Sequence, residues 1–249
     1  MFMRLITLTL ALFSMLLLSP AASARETFFV PTPSGDIEVE RFGDCSEAIC
    51  PAVLILSGSR GFGASVYDEI GQEFRAAGLN AYLVHVLTQA DLDVITNAAG
   101  ARARIAFYAE RLEDWMAGVR SVAAYLEGQP QHGGKVGVLG VSLGAQIAAA
   151  ASTGQTNIDA LVLVDGGFPN GYSQPVEWLP PLLLVWGSDD QTFPLSVGTE
   201  LQRTARRIGI PVTLDVYQGG AHDFFLRSGT SNAIAAHRGA ADYLVRWLR

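Results

Sequence analysis

The chain has 249 residues, 49% of them hydrophobic and 16% charged, which is enough for one large α/β domain with a sizeable core. Its formal charge is −7 and no Lys/Arg run or basic stripe appears, so nucleic acid and anionic membrane surfaces are excluded as expected partners. Two cysteines without neighbouring histidines do not make a metal site, and no metal is expected.

Residues 1–24 read as an export signal. Arg4 gives a weak positive start, residues 5–18 form an apolar run, Pro20 breaks it, and Ala22-Ser23-Ala24 is a small-residue cleavage site. The run is shorter than the roughly 20 residues of a bilayer span, so no stable membrane anchor is expected after processing. A mature domain of residues 25–249, secreted or periplasmic, is expected to carry −7 − 1 = −8, because Arg4 is the signal's only charged residue. In such a compartment Cys45 and Cys50 read as a disulfide closing a small loop.

Residues 27–30 and 36–42 read as two strands joined by a Pro/Gly turn, the second alternating as a half-exposed antiparallel edge does. Residues 52–56 are a continuous apolar strand, followed by Ser57-Gly58-Ser59-Arg60-Gly61 and a helix over 66–77. A buried strand is expected over 80–86, a loop-like insertion over 87–100, and a long amphipathic helix over 102–126 with Ile105, Leu112, Met116, Val119, Val122 and Leu126 on its apolar stripe. Further strands are expected at 160–164, 181–186 and 212–217, and helices at 195–208 and 231–248. With the strand ending at Val141 the count is eight. Helices separate most of them, which predicts one mostly parallel α/β sheet with helices on both faces. Ligands then bind beyond the strand C-termini.

Residues 135–151 carry the sharpest signal. The apolar run Val136-Gly137-Val138-Leu139 ends in Gly140-Val141-Ser142-Leu143-Gly144, and an alanine-rich helix follows at once. G-x-S-x-G between a strand and a helix is the pattern of a nucleophile elbow. The spacing has a steric cause: strand and helix approach so closely that residues two before and two after the serine have little room for a Cβ.

A serine hydroxyl needs a base in hydrogen-bond reach, and the base needs an orienting carboxylate. Of the four histidines, His222 stands in the loop directly after the last strand and is the expected base. His85, near the end of its strand, either lines the site or is a hydrogen-bonded, partly buried residue; His132 and His237 are expected on the surface. Asp190, Asp189 and Asp165 all follow strands and compete for the role of acid. Leu143 N–H is one expected oxyanion donor. The other is expected from Ser59, with Arg60 as the alternative. Phe62, Phe168, Trp178, Phe193, Phe224 and Phe225 fall on the site-side loops and form either an apolar pocket or a cover for the core.

The stretches LILSGSRGFG, GLNAYLVHVL, VGVLGVSLGAQIA, PPLLLVWGSDDQTFP and VYQGGAHDFF resemble the dienelactone hydrolase family of the α/β-hydrolase superfamily over residues 52–248. The resemblance implies a single-domain α/β-hydrolase fold. In that family the acid stands three residues after a strand-ending glycine and a proline follows four later. Gly187, Asp190 and Pro194 fit, which favours Asp190. Tyr217, Gly220, His222 and Phe224 fit the histidine stretch. Two features depart. Dienelactone-opening relatives use a cysteine where this chain has Ser142, and many have His-Gly where it has Ser57-Gly58. The expected function is therefore hydrolysis of small-molecule carboxylic esters or lactones without a cofactor. A peptidase or other acyl hydrolase, and a non-catalytic binding protein on the same fold, are the alternatives.

Overall fold

A computed structural model describes residues 25–43, 45–154 and 156–249; the export-signal reading of residues 1–24 lies outside the described residues. The strands are β1 Glu26–Thr32, β2 Gly35–Arg41, β3 Ala52–Leu56, β4 Asn80–Val84, β5 Val136–Val141, β6 Ala160–Val164, β7 Leu182–Gly187 and β8 Val212–Tyr217. They form one sheet in the order β1-β2-β4-β3-β5-β6-β7-β8. β1 with β2 and β2 with β4 are antiparallel; the other neighbours are parallel.

Among the described residues six α-helices cover the sheet: α1 Val66–Ala76, α2 Gln89–Asn97, α3 Ala101–Glu127, α4 Leu143–Ala151, α5 Leu195–Arg207 and α6 Ser231–Leu248. The central strands are apolar on both sides because both faces are covered. Leu54 and Leu56 of β3 point into one core with Trp115 and Val119 of α3, Ile147 of α4 and Leu201 of α5. Val53 and Ile55 point into the other, with Ile70 and Phe74 of α1 and Leu244 of α6. The two-residue period of a strand thus divides one apolar run between two cores.

Three expectations are corrected. Residues 87–100 are not a loop: most of them form α2. Thr88 caps this helix, its Oγ1 accepting the Asp91 N–H at 3.1 Å while Thr88 N–H donates to Asp91 Oδ2 at 3.0 Å. This reciprocal box satisfies two backbone groups at the helix start. Asp91 is itself buried and also accepts from Arg111 Nε at 3.0 Å and Trp115 Nε1 at 3.2 Å, which ties α2 to α3.

His132 is buried instead of exposed. Its Nε2 lies 2.9 Å from the Tyr82 hydroxyl and its Nδ1 3.0 Å from Cys50 O. It thereby helps fix the loop closed by the Cys45–Cys50 disulfide, whose Cα atoms are 6.5 Å apart. His237 is buried too, 2.8 Å from Phe225 O and packed against the Phe225 ring. Burial lowers the basicity of His237 despite that hydrogen bond, so its imidazole acts as a polar core group.

Candidate active site

β5 ends at Val141, and Ser142 turns the chain into α4 with φ 54° and ψ −111°. A positive φ in a non-glycine residue is strained and is held by its surroundings. Here Ser142 N–H donates to Val164 O at 2.9 Å, and the flanking glycines allow close contact. A Cβ on Gly140 would stand 2.4 Å from Gly144 O, and one on Gly144 would stand 2.5 Å from both Leu56 O and Ser57 O. The turn therefore lifts the serine hydroxyl to the C-terminal rim of the sheet. Leu143 opens α4, where first-turn N–H groups have no intrahelical acceptor.

The hydroxyl does not stand alone. Ser142 Oγ lies 2.8 Å from His222 Nε2, and His222 Nδ1 lies 2.8 Å from Asp190 Oδ2. Three separate loops, after β5, β7 and β8, supply the three groups. Asp190 is buried, and its other oxygen accepts the N–H groups of Thr192 at 2.7 Å and Phe193 at 2.9 Å. Both carboxylate oxygens are thus engaged, so the one facing the imidazole is fixed in direction.

Of the competing acids, Asp189 is exposed and accepts from its neighbour Ser188 Oγ. Asp165 is buried behind the site, where its Oδ1 accepts Gly187 N–H at 2.9 Å. His85 lies outside the site: its Nε2 is 2.7 Å from Glu40 Oε1 and its ring packs on Phe62.

A cavity of about 600 Å³ opens over Ser142 and His222, and Ser59, Arg60 and Leu143 also line it. That size suits a small organic ligand. The Arg60 side chain is 86% exposed and 3.4 Å from Asp223, so it sits at the rim. Of the six aromatics considered from the sequence, only Phe193 lines the cavity. Phe224 and Phe225 are core residues, Phe168 stacks on Tyr172, Phe62 packs on Tyr67, and Trp178 is exposed.

The walls come instead from Ile105, Tyr108 and Leu112 of α3 and from Tyr172. The cause is length. At about 1.5 Å per residue, the 27 residues of α3 outrun strands of five to seven residues at about 3.3 Å each. Its buried residues begin at Trp115, so the earlier turns overhang the sheet rim and face the cavity. Ile105 and Leu112 belong to the apolar stripe visible in the sequence, but the face they serve is the cavity wall. Burial raises the Tyr108 hydroxyl, although the Arg104 charge and a Ser59 hydrogen bond oppose the rise.

A mostly parallel eight-stranded sheet with a serine at the elbow after β5, an acid after β7 and a histidine after β8 defines the α/β-hydrolase fold. The sequence profile of the dienelactone hydrolase family matches residues 43–249, and the chain belongs to that family of hydrolases and esterases. Solved structures share the fold at low identity. Dienelactone hydrolase from Anabaena variabilis is 17% identical with a TM-score of 0.66, covering 91% of this chain and 99% of that one. A putative dienelactone hydrolase from Klebsiella pneumoniae is 14% identical with a TM-score of 0.72, covering 90% and 99%. Esterase 2 of Thermogutta terrifontis, solved phosphoramylated by tabun, is 15% identical with a TM-score of 0.66, covering 91% and 96%. No curated protein matches the chain significantly.

Proposed function

We propose that the chain is an exported serine hydrolase that cleaves small carboxylic esters or lactones through an acyl-enzyme. The observation that carries this reading is the unbroken relay of two 2.8 Å contacts from Ser142 to His222 to Asp190. His222 Nε2 takes the hydroxyl proton as Ser142 Oγ attacks the carbonyl carbon. The N–H groups of Leu143 and Ser59 receive the charge that develops on the carbonyl oxygen, a contribution of about 10²–10³ in rate per donor. His222, now an imidazolium facing Asp190, protonates the leaving alkoxide, which remains attached to the acyl group when the substrate is a lactone. Water then enters; His222 removes its proton as the water oxygen adds to the acyl carbon. The tetrahedral intermediate collapses by breaking the bond to Ser142 Oγ, to which His222 returns the proton, releasing the acid.

The pairing of Cys45 with Cys50 and the pattern of residues 1–24 support export to the periplasm or beyond. The test of the reaction is turnover of short p-nitrophenyl esters by the mature protein and by Ser142→Ala. Turnover that disappears in the variant supports the proposal; equal background rates in both overturn it.

A further inference from the structure

Asp165 has no task in the mechanism above, yet its placement is unusual. It is fully buried at the end of β6 and, with Ser142, is one of two described non-glycine residues with positive φ, here 47°. Its N–H donates to Val185 O at 3.0 Å and its Oδ1 accepts Gly187 N–H, so it braces the start of the loop that carries Asp190. On the other side the chain runs against the elbow. A Cβ on Gly166 would stand 2.6 Å from Ser142 O and 2.8 Å from Ala145 Cβ. Asp165 is therefore wedged between the nucleophile turn and the acid loop.

Its second oxygen, Oδ2, is buried without a hydrogen-bond partner among the described residues. Buried polar atoms of this kind are uncommon and call for a physical reason. The geometry supplies one. A carboxylate oxygen of Asp165, one of Asp190 and a ring nitrogen of His222 all lie within 4.8 Å of one another.

We propose that Asp165 is a positioning residue held in reserve, a second carboxyl able to take over the orientation of His222 when Asp190 cannot. The proposal rests on the triad reading of Ser142, His222 and Asp190. The charged groups facing Asp165 are Asp190 from the loop after β7 and His222 and Asp223 from the loop after β8; on the elbow side the atoms nearest a Cβ placed at Gly166 belong to the Ser142 carbonyl and Ala145. Burial, reinforced by Asp190 and Asp223 against the opposing Gly187 hydrogen bond, pushes the Asp165 carboxyl up to about 8. It is then neutral at pH 7 and leaves the imidazole facing a single negative charge. Neutralising Asp190 removes one source of repulsion, so Asp165 ionises at moderately alkaline pH and accepts the His222 Nδ1 proton after small side-chain rotations.

The test compares Asp190→Asn with the double variant Asp165→Asn/Asp190→Asn, using p-nitrophenyl ester turnover from pH 6 to pH 9.5. Loss of a triad carboxylate costs about 10⁴ in kcat where nothing replaces it. Asp190→Asn is expected to pull ahead of the double variant by roughly 10-fold or more as the pH rises toward 8 and beyond. Superimposable profiles overturn the proposal. Each variant is first checked for a cooperative thermal melt, and Asp190→Ser replaces Asp190→Asn should the asparagine not fold.

A second readout needs no turnover. In Ser142→Ala carrying Asp190→Asn, the hydrogen-bonded Nδ1 proton of His222 is expected as a downfield NMR resonance at pH 9, and it is expected to vanish on adding Asp165→Asn. Its absence from both would contradict the proposal. A wild type without turnover would sink the triad reading itself, while the resonance would still decide the carboxyl's role.

Discussion

The ring of Phe193 lies against the imidazole of His222 with centroids 5.5 Å apart, while the same residue's N–H donates to Asp190 Oδ1. One residue thus touches both His222 and Asp190, the two groups that follow Ser142 in the hydrogen-bonded chain, through its side chain and its backbone. Its carbonyl is fixed in turn by Trp186 Nε1 at 2.8 Å. Phe193→Ala keeps the backbone bond and removes the ring. The ring contact is worth about 1 kcal/mol, so kcat for a small ester is expected to fall about fivefold, with a modest drop in melting temperature because the ring also packs on the core. Steady-state kinetics beside a thermal melt check this; an unchanged kcat would show that the ring does not hold the imidazole.

Gly144→Ala places a methyl group 2.5 Å from two carbonyl oxygens of the chain leaving β3. Backbone cannot yield as a flexible side chain can. A destabilisation of about 3 kcal/mol or more is expected in chemical denaturation, with loss of ester turnover even in the fraction that folds. A variant as stable as wild type would mean that strand and helix are free to separate at the elbow.

Much of this architecture was legible in the sequence because its signals are local. Continuous apolar runs such as residues 52–56 and 160–164 report burial on both faces, and G-x-S-x-G reports a steric requirement within five residues. The helix after Thr88 was missed because its cap is a T-x-x-D pattern in a weakly amphipathic stretch. His132 and His237 were misplaced because turn and helix positions do not reveal a partner in another element, such as Tyr82 on β4 or Phe225 in the loop after β8. The cavity walls were missed for a third reason. An apolar stripe marks a face as buried but does not say whether sheet or substrate buries it, and only the overhang of α3 decides that for Ile105 and Leu112.

Asp91 holds α2 against α3, and its ionisation follows from its contacts. Burial alone would raise the carboxyl, but hydrogen bonds from Thr88, Trp115 and Arg111 outweigh burial and hold it below its ordinary value. A lowered folded value means stability that is complete above the unfolded value near 3.8 and is lost as pH falls through the lower folded one. Asp91→Ala is expected to cost about 3 kcal/mol at pH 7, because Arg111 and Trp115 lose their acceptor. In urea titrations that cost should shrink toward acid pH. A penalty independent of pH would assign Asp91 to packing alone.

Asp165 carries the opposite sign. Folded, it keeps its proton up to about pH 8; unfolded, it releases it near 3.8. Between those values the native state binds the extra proton, so its contribution to stability falls as pH rises, by roughly 1 kcal/mol per pH unit. Asp165→Asn cannot titrate. Its stability relative to wild type is therefore expected to improve steadily between pH 4 and pH 8, whatever its starting offset. Parallel stability curves across that window would show that the buried carboxyl is already ionised at neutral pH.

The central claim is that Ser142 is a nucleophile activated by His222, and organophosphorus labelling tests it most directly. The mature protein is treated with a fluorophosphonate probe, weighed intact and mapped by peptide mass beside Ser142→Ala and His222→Ala. One adduct per chain on the peptide containing Ser142 is predicted, absent from Ser142→Ala and slowed by at least about 10³ in His222→Ala. Folded wild-type protein that takes no label, or labels equally fast without His222, would contradict the account.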